Sequence, residues 1–144
     1  MTDDQLVAAF EGCAIRNEEF HHEDHVRMGF LYMSRFPGLE GIRQFTEGLE
    51  RLAAASGKPN LYHETITWAF LLLIRERLAR ALQRSGRLPS WDEFEAGNRD
   101  LLKGKDDVLR EYYREETLKS ELARKTFVLP DRNFVPSQKC ALRE

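Results

Sequence analysis

"LYHETITWAFLLLIRERLARALQRSG", residues 61–86, is the piece of the chain whose reading decides the fold. Asn60 before it is a plausible N-cap, and Gly86 at its end is the residue that most readily stops a helix, so the spacing predicts one long helix over residues 61–85. Its apolar centre, "WAFLLLI" at 68–74, is followed at once by Arg75, Glu76 and Arg77. A membrane span needs about 20 apolar residues, so this run predicts a helix buried in protein.

The rest of the chain repeats that pattern on a smaller scale. Leu6, Phe10 and Cys13 recur at helical spacing after Thr2 or Asp3, with Val7 and Ala14 beside them, and predict a short first helix. Val26, Phe30 and Met33 mark a second helix over residues 18–36, stopped by Pro37 and Gly38. A third, over residues 39–56, carries Ile42, Phe45, Leu49 and Leu52 on one face and ends at Gly57. Ser90 with Glu93 three residues on makes a capping box for a short fifth helix that Gly97 closes. Asp106 or Asp107 opens a sixth through "VLREYY", and Thr117 starts a last turn through Ala123. From residue 126 onward, "TFVLPDRNFVP" has two prolines and no helical period, and reads as an extended segment lying across the helices. Strands alternating with helices are absent. The expected fold is therefore all-α: a single domain over residues 1–144, with a bundle of four main helices, short C-terminal helices and an extended tail over 126–144.

Composition narrows the function classes. A chain of 144 residues, 42% hydrophobic and 32% charged with both signs interspersed, is long enough for one folded core. The formal charge of −2 speaks against a nucleic-acid surface. Cys13 and Cys140 form no C-x-x-C pair and the N-terminus "MTDDQLVAAF" is acidic, so both cysteines are read as free thiols of a cytoplasmic protein.

The chemistry concentrates in two places. "EFHHEDHVRM", residues 18–27, holds three of the four histidines, and "LYHETITW", residues 61–68, holds the fourth. On a helix, His21 and His25 lie one turn apart on one face, which is a chelating spacing. His22 points about 100° away from them. A metal needs a third ligand, and His63 with Glu64 beside it supplies the remaining imidazole and a carboxylate. If the second and fourth helices are parallel diagonal partners of a bundle, their N-terminal turns lie at the same end and the two motifs meet.

The first expectation is thus a metal-dependent hydrolase, lyase or oxygenase acting on a small molecule. His21, His25, His63 and Glu64 would hold zinc or iron, Glu64 would double as general base, and His22, Asp24, Tyr62 and Thr67 would complete the catalytic set. A second reading keeps the residues and drops the metal: His63 and Glu64 exchange protons with a substrate held by Tyr62 and an arginine, as in a lyase or isomerase. A third makes the histidines a structural network at two helix starts, in a non-enzymatic binding or adaptor protein. His-Glu-Thr-Ile-Thr lacks the second histidine of the zincin signature, so a peptidase of that kind is not indicated.

Expected partners are a small-molecule substrate and, with oligomeric state left open, a second copy of the chain; neither nucleic acid nor membrane is expected. Arg77, Arg80, Arg84 and Arg87 form a basic stripe that reads first as a solvated face. Trp68, Trp91, Tyr112 and Tyr113 read first as core.

"FHHEDHVRMGFLYM", "GKPNLYHETITWAFLLLI" and "ARKTFVLPD" together resemble a family of small, mostly uncharacterised bacterial proteins built around Phe-His-His-x-Asp-His and Tyr-His-Glu-Thr-Ile-Thr. The resemblance spans about residues 18–131. It implies that His21, His22, Asp24, His25, Tyr62, His63, Glu64 and Thr67 form one recurrent unit, and it implies no particular reaction.

Overall fold

The computed structural model describes residues 1–104 and 106–132, the side chain of Asn17 excepted. Among these residues the regular structure is entirely helical: α1 (Asp3–Glu11), α2 (His22–Arg35), α3 (Glu40–Ala55), α4 (Glu64–Ser85), α5 (Trp91–Gly97), α6 (Arg99–Leu102), α7 (Glu115–Leu118) and α8 (Glu121–Lys125), with 3-10 turns at Asn17–Glu19, Pro59–Leu61 and Asp107–Glu111. The all-α, single-domain expectation holds. No helix among the described residues is long and apolar enough to cross a membrane.

Helix starts follow local chemistry where the usual capping residues stand. Thr2 and Gln5 close a capping box on α1, and Ser90 and Glu93 close one on α5. Gly86 ends α4 in the left-handed region, at φ 81°. Two starts lie later than the sequence suggests. The second helix begins at His22 and not at residue 18, because a 3-10 turn and an extended His21 precede it. The fourth begins at Glu64, capped by His63 rather than by Asn60, which sits in its own 3-10 turn.

α1, α2 and α3 share an aromatic core. Phe10 is fully buried, stacks on Phe45 at 5.6 Å between centroids, and meets Phe20 at 5.7 Å and the edge of Tyr32 at 5.8 Å. Burial raises the Tyr32 phenol far above its ordinary range, and its hydroxyl donates to Glu11 at 2.8 Å. Ile42, Phe45 and Leu52 are buried as the α3 stripe predicts. Leu49 of the same stripe is only half-buried, because it faces a cavity.

α2 and α4 are direct neighbours rather than diagonal partners. Gly29 makes this approach: a β-carbon there would stand 2.9 Å from Ile74 Cδ1 and 3.2 Å from Leu71 Cδ2. His22 lies against Phe70, and Gly29 against Leu71 and Ile74, so contacts advance in the same sense along both helices. Their first turns therefore share one end of the molecule.

Gly41 serves α3 similarly, since a β-carbon would meet the Tyr32 carbonyl oxygen and Met33 Cε, each at 2.8 Å. Backbone cannot swing aside as a side-chain tip can. Gly41→Ala is expected to lower stability by about 1–3 kcal/mol in urea unfolding, the range of overpacked sites.

The segment after α8 is extended over the described residues 126–132 and is pinned to the helices. Thr65, fully buried, donates to the Thr126 carbonyl at 2.8 Å and accepts from Val128 N–H at 3.1 Å. Tyr113 donates to the Val128 carbonyl, and Phe127 packs on Trp68. The remainder of the predicted tail, residues 133–144 with Cys140, lies outside the described residues.

Candidate functional site

Helix starts carry four unpaired backbone N–H groups, and polar side chains collect there to accept from them. The first turns of α2 and α4 put all four histidines of the chain around one cavity of about 570 Å³. His21, His22, His25 and Glu18 come from the α2 side, Tyr62, His63 and Thr67 from the α4 side. Phe20, Phe45, Phe70, Leu71 and Ile74 form apolar walls, with Leu49 and Ala53 contributed by α3. The volume lies within the roughly 300–1,000 Å³ of ordinary ligand pockets.

The histidines do different jobs. His63 caps α4: its Nδ1 accepts from Ile66 N–H at 3.1 Å, and its Nε2 lies 2.7 Å from the Leu118 carbonyl oxygen. A carbonyl can only accept, so Nε2 carries the proton and donates. Both nitrogens are then engaged. His22 Nε2 likewise donates to the Leu101 carbonyl at 2.8 Å, which leaves Nδ1 of the neutral ring as its lone pair. The ring packs edge-on against Phe70 at 5.3 Å. His25 is half-buried and lies over Phe20, 4.1 Å between ring centroids. His21 is the N-cap residue of α2, with extended backbone and a side chain 72% exposed.

The structure places the expected ligands in different settings. His21 is not inside the helix, so the one-turn pairing with His25 that made the spacing chelating does not apply to it. His63 has no free ring nitrogen to give an ion. Glu64 accepts the Tyr62 hydroxyl at 2.5 Å and does not line the cavity. Among the described residues, no group of three or more His, Cys, Asp or Glu side chains is placed to hold a metal ion.

The expected catalytic set is also divided. Asp24 accepts from the His21 backbone N–H at 3.1 Å and stands 3.7 Å from His21 Nδ1, so it caps α2 and is not hydrogen-bonded to an imidazole. Tyr62 lines the cavity, and burial first, then its bond to Glu64, push its phenol far above the usual range. It stays protonated near neutrality, with the proton directed to Glu64 and the oxygen facing the Trp68 indole N–H. Thr67 is 8% exposed, lines the cavity, and its hydroxyl makes no hydrogen bond among the described residues. His22, Tyr62 and Thr67 remain as polar groups of the cavity.

The apolar walls are not legible in the sequence as a site, because Phe45 and Phe70 obey the same periodicity as any core residue. Nor did it show the carbonyls of Leu101 and Leu118, which fix the tautomers of His22 and His63 from far along the chain. The arginine stripe is broken into surface ion pairs: Arg77 with Asp100, Arg80 with Glu76 and Arg87 with Glu93. Trp91 packs with Phe30 and Phe94, and Tyr113 is buried. No protein-family model matches the chain, and neither a curated protein nor a solved structure matches it.

Proposed function

We propose that the protein binds a small, largely apolar molecule in the α2–α4 cavity and exchanges a proton with it through His22, as an acid/base enzyme of the lyase or isomerase kind. One observation carries the reading: every histidine of the chain borders a single apolar-walled cavity, and His22 is held there by a backbone carbonyl through Nε2, with Nδ1 left as its second nitrogen. An imidazole so held has a fixed tautomer and orientation, which is what a proton carrier needs. His63 and Glu64, which the sequence suggested for this task, are engaged in capping α4 and in binding Tyr62. Thr67 would orient the ligand, and the phenylalanines would exclude water from it.

The test screens small-molecule metabolites by ligand-observed NMR and follows each bound compound for conversion. Binding is expected in the native protein and lost in Leu49→Trp, where the indole occupies the cavity from its half-buried wall. His22→Gln keeps a donor near the Leu101 carbonyl and removes the base, so turnover should fall by about 10²–10⁴ with binding kept. Turnover untouched in His22→Gln, or activity that follows one equivalent of bound transition metal, would count against the proposal.

A further inference from the structure

The cavity's polar groups limit what it can hold, and the limit is set by charge and by hydrogen-bonding sense. Neither lysine nor arginine lines it among the described residues, and Glu18, an exposed residue, is its one carboxylate side chain. An anionic ligand would meet no permanently charged cation there and would lie beside that carboxylate, and burying a carboxylate without a paired charge is strongly unfavourable. Arg110, Lys119 and Arg124 line an adjoining cleft that shares Leu61, His63 and Ile66 with the cavity, and they are paired with Asp106, Glu115 and Glu121.

Inside, the available atoms can accept. His22 Nδ1 offers a lone pair because Nε2 holds the proton, while the Tyr62 hydroxyl gives its proton to Glu64 and its oxygen faces the Trp68 indole N–H. The hydroxyl of Thr67, a residue 8% exposed that lines the cavity, can donate or accept. Thr67 and Phe70 are neighbours on one face of α4, and His22 packs against Phe70, so the hydroxyl and the imidazole lie on the same side of the cavity. No buried side-chain polar atom among the described residues lacks a hydrogen-bond partner, so the Thr67 hydroxyl is open to the cavity, where a ligand hydroxyl can bond to it.

Resting on the reading of this cavity as a ligand site, we infer that its ligand is an uncharged aromatic or cyclic compound bearing a hydroxyl, which donates to His22 Nδ1 and bonds to Thr67. Carboxylates and phosphates of the same ring size are excluded.

Phenol, toluene and benzoate, titrated at about pH 8 where ordinary imidazoles are neutral, separate the alternatives by protein-observed NMR. Phenol is expected to bind at least about ten-fold more tightly than either of the others, the discrimination of a site whose polar atoms bond to a ligand hydroxyl. Thr67→Val preserves side-chain shape and should weaken phenol several-fold while leaving toluene unchanged. Benzoate binding as well as phenol, or toluene as well as phenol, would overturn the inference while leaving the cavity a binding site. Failure of all three to bind, or binding unaffected by Leu49→Trp, would overturn the cavity reading itself.

Discussion

Phe10→Ala should destabilise the fold by about 3–5 kcal/mol, the range for deleting a buried phenylalanine ring. The ring is fully buried among Phe20, Tyr32 and Phe45, and it occupies the space that Gly48 leaves on α3 by lacking a side chain. Phe20 and Phe45 are at once neighbours of Phe10 and walls of the cavity. The substitution therefore removes support from behind the site as well as core volume. Urea unfolding gives the first effect. Phenol titration of the folded fraction gives the second, expected as weaker binding than in the native protein. A loss below about 1 kcal/mol would mean that the three remaining rings close the gap, and that the aromatic core does not hold the site in shape.

His63→Ala removes two hydrogen bonds, one that caps α4 and one that ties its start to the C-terminal segment. The cap on Ile66 N–H is worth about 0.5–2 kcal/mol. The Leu118 carbonyl left without its donor adds about 1–3 kcal/mol. A combined loss of about 2–4 kcal/mol is expected, since the two terms share one side chain and are not strictly additive. His63→Asn separates them, because the asparagine oxygen can stand where Nδ1 stands and accept from Ile66 N–H. It should recover about 1 kcal/mol and leave stability indifferent to added zinc. A metal ligand would behave otherwise: asparagine would rescue nothing, and zinc would stabilise the native chain but not the variant.

The contrast between Ser90 and His63 shows what could be read from the chain. Ser90 with Glu93 is a pattern whose mechanism is local, and the helix begins where the pattern places it. His63 does the same work for α4, but histidine is not among the favoured capping residues, so the start was assigned to Asn60, three residues early. The boundary is displaced at His21 too, so a one-turn pairing that assumed both histidines within one helix starts instead from an N-cap residue with extended backbone. Boundaries of a turn's length are beyond periodicity, and here the proposed chemistry hung on them. That the two histidine motifs meet was legible, because both fall in first turns and α2 and α4 run the same way. That they surround an apolar cavity was not, since Leu49 and Phe70 look like core until their neighbours are in place. The carbonyls of Leu101 and Leu118 lie 79 and 55 residues from the histidines they bind, a separation no local pattern encodes.

Nitrogen-15 NMR of the histidine rings tests the central claim most directly, since it reports which nitrogen of each imidazole carries the proton. Both His22 and His63 should carry a proton on Nε2, with His63 Nδ1 coupled through its hydrogen bond to Ile66 N–H and with phenol moving the His22 Nδ1 signal and leaving the tautomer of His63 unchanged. A proton on His22 Nδ1, or His63 signals that shift on binding a stoichiometric metal ion, would contradict the claim.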